Sequence, residues 1–489
     1  MPLSSAILPC FSGRQFRPAL SASHAGPRMR SGRWAVRPAV TACVLALSSL
    51  AGWAQEAPEP DAPEPDSMQS QKPAQSEAPG SDFAQCLDGL RQTGGFARID
   101  EATWQRYVVP LQPDMSVLPL LNRQPEFSLR PWDYLAQLVD AERVADGRAA
   151  YRRWQDVLQR IGAEYGVDPA MVVGVWGIES NFGQNVGGRP LVQSLATLSC
   201  YGRRQTYFRT EFANALRILQ EGDIPASQLN GSWAGAFGQT QFMPSTFLRT
   251  AVDFDGDGRR DIVGSVPDAL ASTARFLQQA GWRTGEPWGY EVQLPPGFDA
   301  SGAGRRNRQD VGLWAAQGVT LPGGAPLPAV PDRAGLMLPA GPQGPAFLVG
   351  RNFDTLYRYN ASENYALAIA HLSDLIAGRD RSVAFRTAWP TDDPGLSRAD
   401  NRELQRLLLA RGHAVGVADG MIGARTRDAI RAEQARLGMP VTGRAGQRLL
   451  AALRGGGARP VQDMSPAVPA AVRPARPVPR AAGLGQTDF

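Results

Sequence analysis

A carboxyl group at the end of an apolar run is the residue in this chain best placed for acid–base chemistry. It is Glu179, in Gly174-Val175-Trp176-Gly177-Ile178-Glu179-Ser180-Asn181-Phe182-Gly183. Upstream, Asp168 and Pro169 read as a helix N-cap and first helical residue. Val172, Val175, Trp176 and Glu179 then fall at i, i+3, i+4 and i+7 and share one helical face. Asn181 and Gly183 are stop signals, which places Glu179 in the last turn. Desolvation and the negative end of the helix dipole both raise a carboxyl pKa in such a place. A carboxyl that keeps its proton near neutral pH can serve as a general acid. Position alone also admits a solvated surface glutamate, so the remaining motifs must decide.

The second dense run is Gly231-Ser232-Trp233-Ala234-Gly235-Ala236-Phe237-Gly238-Gln239-Thr240-Gln241-Phe242-Met243-Pro244-Ser245. Its small residues allow close approach of a backbone or a ligand. Gln239 and Gln241 carry donors and acceptors suited to sugar hydroxyls and acetamido groups. Trp233, Phe237 and Phe242 offer rings that can stack on sugar faces. The same run also fits a tightly packed loop leading into a helix. A third run, Asp253-Phe254-Asp255-Gly256-Asp257-Gly258-Arg259-Arg260-Asp261, has acids at loop positions 1, 3, 5 and 9 and glycine at 6, as in an EF-hand calcium loop. Gly264 stands where the position-12 glutamate belongs, and Asp268 lies further on. The expected ligand group is Asp253, Asp255, Asp257, Arg259 at position 7, Asp261 and Asp268. Calcium there would be structural, with an ion-free acidic turn as the alternative. The chain's three histidines disfavour a His-rich metal site, and His371 reads as a packed or solvated residue.

The elements that must position these residues are mostly helical. Order is expected from Asp82, and helical patterns recur to about Ala280, as in Tyr134-Leu135 with Leu138-Val139, Trp154 with Val157-Leu158-Ile161, and Phe212 with Leu216 and Leu219. Residues 285–350 are rich in Pro and Gly and carry short apolar runs, which predicts a few short strands and long turns. A helix resumes at Tyr365–Leu372. Pro390 and Pro394 mark a linker over 381–397. Leu404, Leu407 and Leu408, then Ala429 and Ile430, then Leu449, Leu450 and Leu453 predict three short helices over 398–453. A core of that size serves more readily as a binding unit than as an enzyme. The expected fold class is therefore mainly α (α+β), with a small β-rich subregion and a separate three-helix C-terminal module.

The 489 residues exceed one domain. The net charge of +5 is small for that length, nearly all the positive charge is arginine, and Lys72 is the only lysine. Much of it lies in the leader and the tail, so nucleic-acid binding is not expected; a cationic surface suits an anionic wall polymer. Arg28, Arg30, Arg33 and Arg37 precede an apolar stretch from Ala39 to Leu50, and Gly52-Trp53-Ala54 offers small residues for cleavage. Residues 1–54 thus read as a signal peptide, with Met29 as an alternative start. Its apolar run is short for a bilayer span. Val40-Thr41-Ala42-Cys43 resembles a lipoprotein site only superficially, so a soluble periplasmic protein is expected over a lipid-anchored one. Residues 55–81, rich in Pro, Glu, Ser and Gln, read as a disordered tether, and 454–489 as a disordered tail. Removing the leader leaves Cys86 and Cys200, which an oxidising compartment would join; two buried thiols are the other reading.

Three motifs, Glu179-Ser180-Asn181-Phe182-Gly183, the Gly231–Ser245 run and Tyr359-Asn360-Ala361-Ser362-Glu363-Asn364-Tyr365-Ala366, together resemble the lytic murein transglycosylase B family over roughly residues 83–380. The resemblance implies a lysozyme-like catalytic domain over 82–380 that cleaves the β-1,4 bond from N-acetylmuramic acid to N-acetylglucosamine. It makes Glu179 the acid/base and gives 1,6-anhydro ends, without a catalytic cofactor. It places Ser232, Gln241, Phe242, Tyr359, Asn360 and Tyr365 along the sugar subsites, less securely Arg203, Arg204 and Tyr207, and more weakly Tyr134. It also gives Asp268 a counterpart in a later aspartate of the family's calcium loop. Residues 398–453 resemble a peptidoglycan-binding domain through Leu404-Gln405-Arg406-Leu407-Leu408, Asp419-Gly420, Gly423, Thr426 and Ala429-Ile430, although Glu433-Gln434 stands where that family often has Phe-Gln. The implied partner is the peptidoglycan glycan strand, with cell-wall synthesis proteins as further candidates and a monomer expected. A water-using muramidase and a non-catalytic wall-binding scaffold are the competing readings.

Overall fold

Apolar residues at helical spacing assemble into two adjoining cores. The computed structural model describes residues 79–122 and 129–455. The expected leader, nearly all of the 55–81 tether and the tail beyond Gly455 lie outside the described residues. One core gathers residues of the helices Pro131–Leu138, Gln155–Tyr165, Pro169–Ser180, Val266–Gln279, Arg351–Asn360 and Glu363–Ala377. The other gathers Pro79–Arg91, Glu101–Tyr107, Leu191–Tyr201, Gln205–Glu221 and Pro244–Thr250. Cys86 and Cys200 are joined as a disulfide across 114 residues and tie the first of these helices to Leu191–Tyr201. Closing a loop of that length contributes on the order of 4–5 kcal/mol in the chain-entropy account. Phe276 and Tyr359 pack against both cores and mark the seam between them.

The helix Pro169–Ser180 departs from the expected single buried face. Every residue from Ala170 to Gly177 is buried, as is Ser180, so the helix is apolar all round, as befits one enclosed on every side. Gly174 permits this. A Cβ there would lie 2.0 Å from Ser373 Oγ and 3.1 Å from the Ile369 carbonyl oxygen, so the helix Glu363–Ala377 could not approach as it does.

The β-rich region forms a four-stranded antiparallel sheet in the order Gly289–Val292, Ala346–Val349, Arg333–Met337, Gln309–Asp310. Ala346–Val349 lies between two partners and is buried throughout, which explains why it reads as an uninterrupted apolar run. His371 is a packed residue beside this sheet: its Nε2 meets the Val383 carbonyl at 2.9 Å, and burial lowers its pKa.

The segment 381–397, expected as a linker, is a packed strap. Phe385 sits 5.0 Å from the Phe347 ring and 4.3 Å from His371. The Arg386 and Thr387 amides donate to Glu291 at 2.8 and 2.7 Å, and Trp389 lies 6.2 Å from Trp132. Beyond it, the helices Arg398–Ala410, Ala424–Arg436 and Gln447–Arg454 enclose a core of their own around Leu404, Leu408, Ile430 and Leu450. This module is docked, not dangling. Arg444 donates to Asp133 at 2.7 and 2.6 Å, Arg398 to Asp140 at 3.0 Å, and Arg402 to Glu142.

Burial pushes the Asp140 carboxyl up, but donation from Arg398 and the Arg143 amide outweighs it and holds the group below its ordinary 3.8. A carboxyl depressed in the folded state stabilises above its unfolded pKa and loses that contribution as pH falls through the folded value. Asp140→Asn should therefore lower the melting temperature at neutral pH. The gap to the wild type should narrow as pH falls below 3.8 and through the depressed folded value, as thermal melts over an acid series would record.

Candidate active site

The enclosed helix ends in three successive left-handed residues. Asp168 opens it by accepting the Ala170 amide at 2.9 Å. At the other end Asn181, Phe182 and Gly183 have φ of 50°, 58° and 82°. The Asn181 amide donates back to Gly177 at 3.2 Å and the Phe182 amide to Trp176 at 3.3 Å, satisfying carbonyls that the helix end leaves open. A left-handed phenylalanine costs on the order of 1–3 kcal/mol and persists only where its surroundings enforce it. Here the Phe182 ring meets the Trp176 ring edge-on at 5.7 Å. Glu179, half-buried in the last turn, is thereby set at the edge of the cluster that holds Tyr365.

The Tyr365 hydroxyl donates to Glu179 Oε1. Tyr365 begins in a helix capped by Ser362, whose hydroxyl accepts the Tyr365 amide at 3.3 Å. Its ring stacks on Tyr359 at 6.2 Å, and Tyr359 donates to the Thr240 carbonyl at 2.8 Å. Burial and the negative charge of Glu179 push both phenols well above the ordinary tyrosine range, so both remain donors. Tyr134 lies in the same buried cluster. Asn360 is exposed at the end of the helix that carries Tyr359.

The Gly231–Ser245 run is a tight loop pinned to the enclosed helix. Gln239, whose donors and acceptors also suit sugar hydroxyls, is turned inward, in keeping with the packed-loop reading. Its Oε1 accepts the Trp176 indole N–H at 3.0 Å, its Nε2 donates to Val263 at 3.0 Å, and its carbonyl accepts the Ser180 hydroxyl at 2.7 Å. Phe237 and Phe242, read as rings for sugar faces, are core residues at 0% and 2% exposure; Phe242 packs on Tyr359 at 5.9 Å and on Phe276 at 5.8 Å. An apolar ring gains more from that seam than from water. Gln241 and Ser232 remain half-buried at the loop surface. Gln241, at φ 50°, donates to Val186 at 3.0 Å, and Ser232 Oγ accepts the Ala236 amide at 3.1 Å. Arg203, Arg204 and Tyr207 stand on other elements, at the start of the helix Gln205–Glu221. There the Arg204 guanidinium lies 4.7 Å over the Tyr207 ring, and Arg203 reaches the Leu121 carbonyl at 3.4 Å.

Of the loop's five expected carboxylate ligands three come together: carboxylate oxygens of Asp253, Asp255 and Asp268 lie within 4.8 Å of one another. Asp268 is fully buried and accepts the amides of Phe254, Asp255 and Asp261. Burial and the charge of Asp255 raise its pKa. The other two carboxylates are engaged elsewhere. Asp257 pairs with the Arg259 side chain at 2.9 Å, and Asp261 accepts the Val263 and Gly264 amides at 2.9 and 2.7 Å.

A helical domain with a carboxyl at its seam and a small sheet beside it has the lysozyme-like architecture. Residues 82–374 match the family described as "Transglycosylase SLT domain", and residues 397–453 match "Putative peptidoglycan binding domain". The membrane-bound lytic murein transglycosylase B of Escherichia coli K12 is 32% identical over 320 residues, which cover 61% of this chain and 85% of that protein. The crystal structure of SltB3 from Pseudomonas aeruginosa in complex with NAG-anhNAM-pentapeptide is similar at 47% identity and a TM-score of 0.61, covering 76% of this chain and 99% of that one. The lytic transglycosylase Slt35 of Escherichia coli, solved in complex with calcium, is similar at 30% identity and a TM-score of 0.52, covering 62% of this chain and 94% of that one. The chain belongs to the transglycosylase SLT domain family.

Gln239 escaped the sequence reading because an amide's donors and acceptors say nothing about which way it points. Gln239→Ala should leave the Trp176 N–H and the Val263 carbonyl without these partners, at a cost of roughly 1–3 kcal/mol. Urea unfolding followed by tryptophan fluorescence measures it.

Proposed function

We propose that this chain is a peptidoglycan lytic transglycosylase that cleaves the N-acetylmuramic acid–β-1,4–N-acetylglucosamine bond and leaves 1,6-anhydro ends. The observation that carries the reading is the Glu179 carboxyl, held by the Tyr365 hydroxyl at the end of an enclosed helix. Protonated Glu179 donates to the leaving glycosidic oxygen as the C1–O bond breaks. The resulting carboxylate takes the proton of the muramoyl C6 hydroxyl as that oxygen bonds to C1 of its own ring. The glutamate thus ends as it began, protonated, and no water is consumed. Glycoside hydrolysis by either common route employs two carboxyls; an internal nucleophile replaces the water and its base by proximity.

Tyr365, kept protonated, fixes the orientation of the carboxyl through both halves of the cycle. Ser232, Gln241, Tyr359 and Asn360 are assigned to the sugar subsites beside it, and Arg203, Arg204 and Tyr207 to a more distant stretch of the cleft. Phe242 acts from beneath, by supporting Tyr359. The module at 397–453 binds the glycan wall. The protein acts as a monomer in the periplasm; no described helix is long and apolar enough to cross a membrane.

Glu179→Gln should fold as the wild type does and release no anhydro-muropeptide from purified sacculi. Mass spectrometry of the products also separates a muramidase, because an anhydro end is lighter by one water than a reducing end. Binding to sacculi without any product from the wild type would favour the scaffold reading.

Asp253, Asp255 and Asp268 form an all-oxygen group suited to calcium, which prefers such ligands. Bound there, the ion would offset the mutual repulsion of three carboxylates and cross-link the loop to the helix Val266–Gln279. Calcium should raise the melting temperature of the wild type, by the equivalent of about 2.7 kcal/mol at a hundred times its dissociation constant. Asp268→Asn should remove that calcium-dependent increment.

A further inference from the structure

The C-terminal module touches the catalytic helix itself. Arg398, in the first turn of the module's first helix, donates through Nη1 to Asn181 Oδ1 at 3.0 Å. Asn181 is the left-handed cap two residues beyond Glu179. The same oxygen accepts Arg143 Nε at 3.4 Å. Asp140 binds the two arginines together. It accepts the Arg143 amide at 2.8 Å, the Arg398 amide at 3.2 Å and Arg398 Nε at 3.0 Å. Asp146 adds a longer contact to Arg398 at 3.6 Å. The Arg398 and Asp140 side chains are only 12% and 6% exposed. Arg143 anchors the group to the fold by donating to the Leu138 carbonyl at 2.6 Å.

We infer that Arg398 is a positioning residue for catalysis: the wall-binding module, through its forked contact with Asp140 and Asn181, holds the end of the helix that presents Glu179. A module that only delivers the enzyme to the wall needs no contact with the cap of the catalytic helix. The planar guanidinium suits this task, because it can bond two acceptors in a fixed geometry where an ammonium acts as a point charge. A small displacement of a reacting group from a distant change costs up to about a hundredfold in rate. The inference rests on Glu179 being the acid/base of the proposed reaction.

The test uses the full chain and a soluble tetrasaccharide of two N-acetylglucosamine–N-acetylmuramic acid repeats, a substrate whose turnover does not depend on delivery to an insoluble wall. Arg398→Lys keeps a charge for Asp140 and loses the fork to Asn181. Asn181→Gly keeps the left-handed cap and loses the acceptor. Each should lower kcat about tenfold with KM within about twofold of the wild type and the melting temperature little changed. The double variant should be no slower than Asn181→Gly alone, because that substitution already removes the acceptor Arg398 reaches. Wild-type kcat in either single variant, or effects that multiply in the double, would overturn the inference while wild-type turnover and a silent Glu179→Gln leave the reaction standing. No anhydro product from the wild type would overturn the reaction and the inference with it.

Discussion

The structure depends on one constraint, that an ionisable side chain must stand at the end of a helix with almost no solvent face. A helix buried from Ala170 to Gly177 cannot slide, tilt or fray without disturbing four neighbouring helices. Its last turn is then stopped within three residues by backbone that only close packing sustains. The result is a carboxyl whose position is set by the core and whose surroundings are set by the tyrosines. A surface helix would leave the same glutamate mobile and fully hydrated.

The seam between the two cores reaches that carboxyl through the stacked tyrosines Tyr359 and Tyr365. Tyr359 and Phe276 pack against both sides, so the tyrosine pair is fixed by two cores at once. Gln239 makes the same kind of tie through hydrogen bonds, joining the loop to Trp176 and Ser180 of the helix. Rigid supports of this kind hold a site more closely than its own loop residues could. They also explain why so many polar atoms near the site face inward. Each holds a backbone in place, while Ser232 and Gln241 stay half-buried at the loop surface.

The helical framework and the place of Glu179 in a last helical turn were legible because helical spacing and helix caps are local signals. Asp168, Pro169 and Asn181 bound the enclosed helix as expected. The strand Ala346–Val349 was visible as an apolar run, whereas Arg333–Met337 was not singled out, since its five residues include an arginine and a glycine and show no alternation. What stayed hidden were directions. Sequence cannot tell that Gln239 turns inward, that Phe242 lies under Tyr359, or that Asp257 prefers Arg259 to its fellow acids. The 381–397 strap was misjudged for a related reason: two prolines argue against a helix or strand, but not against packing, and Phe385 and Trp389 find aromatic partners all the same.

A docked module changes what wall binding can do for an enzyme. A flexible tether raises local concentration and leaves orientation to chance. Here Arg398, Arg402 and Arg444 reach Asp140, Glu142 and Asp133, so the module and the cleft hold a fixed relation to each other. Asp133 belongs to the helix Pro131–Leu138, which also carries Tyr134, while Arg398 reaches the cap of the helix carrying Glu179. The module therefore braces two elements that converge on the tyrosine cluster.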